Sequence, residues 1–231
     1  MQNLAVIIMT EYPKIIEIFY DYVCPWCYFI TGGIERLQHE FGLDIRWTAF
    51  PLYTEIPKKG LTFDAMFADE NADINRLITI LKRIAHRLGL PFGEPKNTYN
   101  SRLAHELGKW AESKGKGHEF RKAVFYAYFV KEQPIDEIHV LAKLAESVDL
   151  DVKDAQKTLQ DRTFREAVDL DWKRSHELNI SEIPTFILNH QVLVGAQPYE
   201  TLRNLLIPNN IETRNPNSSV PRYDETLCSA C

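Results

Sequence analysis

Lys14-Ile-Ile-Glu-Ile-Phe-Tyr-Asp-Tyr-Val-Cys-Pro-Trp-Cys27 is the stretch on which the fold turns. A β-branched and aromatic run, Ile15 to Val23, drives straight into a Cys-x-x-Cys, and an amphipathic segment follows at once. The pattern predicts a buried strand, then a helix that Cys24 caps and that carries Pro25 in its first turn. Proline is tolerated there because the first helical N–H groups have no intrahelical partner. Those unpaired donors and the positive end of the helix dipole are expected to favour Cys24 as a thiolate. An ordinary cysteine, with a pKa of about 8.5, is only a few per cent ionised at neutral pH. Cys27 lies one turn further on, placed to attack a mixed disulfide formed by Cys24.

Outward from that stretch, Trp26 to Phe41 has helical spacing, with Phe29, Ile30, Ile34, Leu37 and Phe41 on one face and Gly42 as its stop. Asp44 to Phe50 alternates polar and apolar and closes at Pro51. This predicts a βαβ unit whose two strands run parallel. From Leu61 the period becomes helical. Amphipathic segments run from Ile74 to Leu88, Asn100 to Lys114, Glu119 to Lys131, Glu137 to Ser147 and Thr163 to Leu178, and no β-rich run is expected among them. Ile183-Pro-Thr-Phe-Ile-Leu188, the link Asn189-His190 and Gln191-Val-Leu-Val194 form a hairpin pattern, and Gln197 to Leu206 a last helix. Past Pro208 the composition is that of a mobile tail, ending in Cys228-Ser-Ala-Cys231.

With 231 residues, 45% hydrophobic and 26% charged, one globular domain carrying an insertion is expected. A net charge of −5 argues against nucleic acid as a partner. No apolar run approaches the roughly 20 residues that span a bilayer, so no membrane association is expected. Leu4 to Met9 is too short, lacks a preceding Lys or Arg, and is followed by Glu11, against a secretory signal. Four cysteines do not make a disulfide scaffold in a chain of this size. A reducing cytoplasm is the expected compartment, where a Cys-x-x-Cys is catalytic or metal-binding.

Strand, Cys-Pro-Trp-Cys at a helix start, strand, helical insert, Ile-Pro opening a hairpin and final helix together resemble the thioredoxin superfamily. The match is closer to its DsbA-like branch, and Phe-Tyr-Asp-Tyr-Val-Cys-Pro-Trp-Cys is especially similar to FrnE-type dithiol–disulfide isomerases. The resemblance implies an α/β fold with a discontinuous thioredoxin-like core at 13–60 and 168–208, a helical insertion at 61–167 and a flexible tail at 209–231. It also implies a cis Ile183-Pro184 peptide against the cysteine pair, leaving the backbone before Pro184 free to meet an extended substrate. Two departures stand out. The buried acid that such strands commonly carry six residues before the first cysteine is here Ile18, with Asp21 as a possible proton relay. The pair Pro25-Trp26 lacks the histidine of DsbA proper, so a less oxidising couple is expected.

The sites expected are therefore Cys24 as nucleophile and Cys27 as resolving thiol, with Pro25, Trp26, Ile183 and Pro184 against the substrate. Trp26 is expected to be exposed. Phe125, Tyr126, Tyr128 and Phe129 suit a core better than a substrate groove. Cys228 and Cys231 suit an auxiliary dithiol, with zinc or inertness as alternatives. The seven histidines form no metal-binding pair, and no metal is expected. The activity implied is thiol–disulfide exchange on protein or small-molecule thiols and disulfides, with no bound cofactor and with glutathione or a thioredoxin system as recycling reductant. Rivals are a glutathione-dependent isomerase or kappa-type transferase, whose relatives commonly have serine where Cys24 stands, and a non-catalytic zinc-stabilised or holdase-like module.

Overall fold

The computed structural model describes residues 15–57, 59–68, 73–209, 211 and 213–214. Residues 1–14, which include the segment weighed as an export signal, lie outside the described residues, as do Cys228 and Cys231.

The architecture is the expected one: an α/β, thioredoxin-like core in which four strands are ordered β2-β1-β5-β6. β1 (Ile15–Tyr20) and β2 (Asp44–Ala49) pair in parallel, from Ile15 opposite Asp44 to Tyr20 opposite Ala49. β1 pairs antiparallel with β5 (Thr185–Leu188), which turns back into β6 (Gln191–Val194). β1 is central and is covered on both faces, so Ile16, Ile18 and Phe19 are all buried. That explains its nearly continuous apolar sequence.

Between β1 and β2 the helix predicted over Trp26 to Phe41 is two helices, α1 (Pro25–Phe29) and α2 (Thr31–Phe41). The break falls at Ile30, where the Thr31 hydroxyl donates to the Tyr28 carbonyl at 2.7 Å and competes with the backbone ladder. Gly42 ends α2 in the left-handed region, φ +62°, and its N–H bonds the Gln38 carbonyl.

The segment after β2 contains β3 (Leu61–Thr62), α3 (Phe63–Met66), α4 (Ile74–Arg87), β4 (Asn97–Thr98), α5 (Arg102–Ser113), α6 (Gly117–Phe129), α7 (Ile138–Glu146), α8 (Val152–Gln160) and α9 (Arg165–Glu177). Three of these, β3, β4 and α8, correct the sequence expectation. β3 and β4 form an antiparallel ladder of two residue pairs, too short to leave a periodic trace. α8 was missed because its apolar stripe is reduced to Val152, Ala155 and Leu159; its cap, Asp151 accepting from the Asp154 N–H at 2.9 Å, was the available signal. α10 (Tyr199–Leu206) closes the fold. The tail placed at 209–231 does not begin at 209: Asn209 bonds Asn189, Gln191 and the Leu205 carbonyl, and Ile211 is buried.

One polar group interrupts the apolar run of β1. Glu17 is buried and accepts two 2.6 Å hydrogen bonds from the Arg174 guanidinium and one of 2.8 Å from the Thr48 hydroxyl. The cluster ties β1, β2 and α9 together. Burial pushes the Glu17 carboxyl up, but hydrogen bonds from Arg174 and Thr48 and the charges of Arg174 and Arg46 outweigh it and hold it below its ordinary value. A carboxyl depressed on folding stabilises the fold above its unfolded pKa and loses that contribution as pH falls through the depressed value. Arg174→Met is expected to cost about 1–2 kcal/mol at neutral pH, the lower end of the range for a broken charge pair because Arg174 is partly in water. Urea unfolding of both proteins at neutral pH and at about pH 3 measures this, and the difference shrinks on the acid side.

Candidate active site

The turn after β1 is built around Asp21. Its side chain is buried, Oδ1 accepting from the Val23 N–H at 3.0 Å and Oδ2 from the Leu52 N–H at 3.2 Å. Its carbonyl accepts the Cys24 N–H at 3.2 Å. Alternation along β1 had left the direction of Asp21 open; these bonds turn it inward. The Cys24 carbonyl then accepts from the Cys27 and Tyr28 N–H groups, at 3.1 and 3.2 Å, starting α1 with Pro25 in its first turn.

Both cysteines are free thiols and both are buried, Cys24 at 3% exposure and Cys27 at zero. The Cys24 thiol points across the sheet end and donates to the Ile183 carbonyl at 3.7 Å, a contact between residues 159 apart in sequence. The Ile183-Pro184 peptide is cis. The Pro184 carbonyl accepts from the Gly195 N–H at 2.8 Å, which fixes this loop to the end of β6. Pro25 and Trp26 flank Cys24 half-buried. Trp26 is not exposed as expected, because its ring packs edge-on against Phe29 with centroids 5.8 Å apart. The structure thus brings together Asp21, Cys24, Pro25, Trp26, Cys27, Ile183 and Pro184.

Burial pushes the Cys27 thiol well up. The hydrogen bond to Cys24, the charge of Cys24 and the charge of Asp21 push the same way, and a backbone hydrogen bond at Asp21 opposes them. Cys27 is therefore held protonated.

The sequence and the fold are matched by known proteins. The DSBA-like thioredoxin domain matches residues 15–206. The chain belongs to that family. It is 30% identical over 185 residues to the uncharacterized protein YwbO of Bacillus subtilis (strain 168), covering 78% of this chain and 90% of YwbO. Among solved structures, the probable DsbA oxidoreductase SCO1869 of Streptomyces coelicolor superposes with a TM-score of 0.78 at 20% identity, covering 90% of this chain and 93% of that one. The cytosolic disulfide reductase DsbM of Pseudomonas aeruginosa, also solved with GSH, gives 0.64 at 21% identity over 84% of this chain and 99% of its own. At these identities the two structures speak for the fold alone.

Other residues of this DSBA-like domain were not foreseen. His105, one of seven histidines read as ordinary, is buried on α5 with Nε2 3.7 Å from Asp21 Oδ1. Nothing in its sequence context marks it, since Ala104, Glu106 and Leu107 beside it are buried as well. Gly108, one turn on, lets α5 approach the active-site turn: a Cβ there would lie 2.9 Å from the Tyr22 hydroxyl oxygen. Of the aromatic cluster, Phe125, Tyr128 and Phe129 are core, whereas Tyr126 is 44% exposed on a groove of about 400 Å³ shared with Tyr28, Leu90 and Pro91. Among the described residues no three His, Cys, Asp or Glu side chains converge on a metal position, and no helix is long and apolar enough to cross a membrane.

The unequal thiols have a measurable consequence. Brief alkylation of the reduced protein at neutral pH is expected to label Cys24 at least about tenfold faster than Cys27, since each unit of upward shift removes nine-tenths of a thiolate. Peptide mapping by mass spectrometry reads the ratio.

Proposed function

We propose that this DSBA-like domain is a dithiol–disulfide oxidoreductase or isomerase using Cys24 and Cys27 on protein or small-molecule disulfides. The observation that carries the proposal is the Cys24 thiol at the start of α1, 3.7 Å from the Ile183 carbonyl, with the protonated Cys27 directly behind it. The Cys24 thiolate attacks one sulfur of a substrate disulfide, and the other sulfur leaves as a thiolate. Cys27 then loses its proton and attacks the Cys24 sulfur of the mixed disulfide. The second substrate thiolate departs, and Cys24 and Cys27 are left joined. Run backwards, the same steps pass a disulfide to a dithiol. Ile183, Pro184, Pro25 and Trp26 lie where the substrate meets Cys24, and displacing the thiol from the Ile183 carbonyl frees that acceptor for a substrate N–H.

The electrons are stored in the two sulfurs, so the chemistry needs no bound cofactor. Glutathione or a thioredoxin system would recycle the pair in the cytoplasm, the compartment this reading favours. A glutathione-activating isomerase or transferase is less well supported, because Cys24 stands where those relatives commonly carry serine. The test is exchange with a defined glutathione buffer. Cys24→Ser is expected to abolish turnover, and Cys27→Ser to halt after one step as a Cys24 mixed disulfide. Equal activity in the parent and both variants overturns the proposal.

Cys228 and Cys231 fit an auxiliary dithiol that exchanges with this pair. The support is the place from which the chain departs. The Arg214 N–H bonds the Glu40 carbonyl at 2.8 Å, near the C-terminal end of α2. At 1.5 Å per residue, that end stands about 25 Å from Cys24 along α1 and α2. The 14 residues from Arg214 to Cys228 can reach at most about 50 Å when fully extended. Replacing both tail cysteines with serine is expected to slow turnover several-fold while leaving the first attack by Cys24 unchanged; unchanged turnover removes the tail from the cycle.

A further inference from the structure

Of the 14 residues of α4, only Leu81 and Ala85 are buried. They lie one turn apart and direct the centre of the apolar stripe to the core. One flank of that stripe stays in contact with water. Leu77, Ile80 and Ile84 follow one another at i, i+3 and i+7 along it. Leu77 is 38% and Ile80 42% exposed, and Ile84 is half-buried. Such residues scattered singly are ordinary on a protein surface, but here they are neighbours on one helix.

A row of cations runs beside that flank. Arg76, Arg83 and Arg87 recur at i, i+7 and i+11, so they share one side of α4 and span roughly 16 Å along its axis. All three are exposed, and among the described residues none is in an ion pair. Ile80 is where the two rows meet. Leu77 and Ile84 adjoin it on one side, Arg76 and Arg83 on the other, all at helical i±3 or i±4 spacing. α4 contains no Asp or Glu. Its N-cap, Asp73, accepts from the Arg76 backbone N–H at 2.9 Å, and Lys82 on the opposite border is paired with Glu94 at 2.5 Å. In a chain of net charge −5, this strip is locally cationic and lacks a counter-charge of its own.

We propose that this flank of α4 docks an acidic amphipathic helix of a partner protein. The partner helix lies alongside α4, with its apolar residues over Leu77, Ile80 and Ile84 and its carboxylates over the arginine row. Guanidinium groups suit that pairing, because each can meet a carboxylate through two parallel N–H donors. The order of the rows favours a helix over a bilayer. A helix lying on a membrane turns the centre of its apolar stripe to the lipid. Here that centre, at Leu81 and Ala85, faces the core, and the unpaired arginines border one side only. The proposal goes beyond the exchange chemistry and does not depend on it.

The experiment uses the full chain under reducing conditions, so that no mixed disulfide contributes, and a pair of synthetic helical peptides. Both peptides carry the same leucine stripe, bordered by Glu in one and by Lys in the other. Fluorescence anisotropy is expected to show the Glu peptide binding at least about tenfold more tightly, an advantage that shrinks as salt rises from about 0.05 to 0.5 M. Joint replacement Arg76→Gln, Arg83→Gln and Arg87→Gln is expected to remove the preference, and Leu77→Ser with Ile80→Ser to weaken the Glu peptide about tenfold. Equal binding of the two peptides, or parent-like binding by either variant, overturns the proposal. It is also overturned by tighter binding to phosphatidylglycerol vesicles than to the Glu peptide, which would assign the flank to a membrane. A dimer in sedimentation velocity that Ile80→Ser dissolves overturns it too, since a second copy then covers the flank. Should the serine variant not fold, the peptide pair on the parent and on the arginine variant, altered only at exposed positions, still decides.

Discussion

The Asp21 carboxylate holds the site in place. A charged group taken out of water must find compensating hydrogen bonds or it destabilises whatever surrounds it. Asp21 finds them in two backbone N–H groups from different segments: Val23 in its own turn and Leu52 in the loop after β2. Satisfying both ties the end of β1 to the end of β2 and fixes the turn from which Cys24 starts α1. The sulfur's position is thus set by backbone geometry, not by a mobile side chain. Glu17 does comparable work on the same strand, clamping β1 to β2 and α9 through Thr48 and Arg174.

The helical insertion packs against the turn that carries the cysteine pair as well as covering the sheet. α5 comes close to the active-site turn because Gly108 has no Cβ, and that approach buries Tyr22 and His105 against Asp21. α6 supplies Phe125 and Phe129, whose rings pack on Tyr28 immediately after Cys27, and Tyr128, edge-on to Phe129. Cys27 is fully buried, and burial keeps it a thiol.

Much of this was legible along the chain. Local signals are strong where a residue's behaviour follows from its immediate neighbours: the apolar run of β1, the start of α1 at Cys24 and Pro25, the stop at Gly42, and the hairpin at Asn189-His190. They fail where the deciding partner is distant or the element is short. β3 and β4 have two residues each, α8 has a thin apolar stripe, and the break at Ile30 comes from a single hydroxyl on Thr31. Ile211 was grouped with a polar tail by composition, yet it packs into the core.

The sequence by itself determined the order of elements and the placing of the Cys24–Cys27 pair, because a strand, a Cys-Pro-Trp-Cys and a helix are neighbours on the chain. It could not say which way Asp21 turns, that Trp26 lies half-buried, or that His105 differs from six other histidines. The first and last of these depend on what approaches from elsewhere: Leu52, and α5 packing close at Gly108. Hydrogen bonding and burial act through space over a few ångströms, and residues 31, 84 and 159 positions apart become neighbours only once the chain has folded.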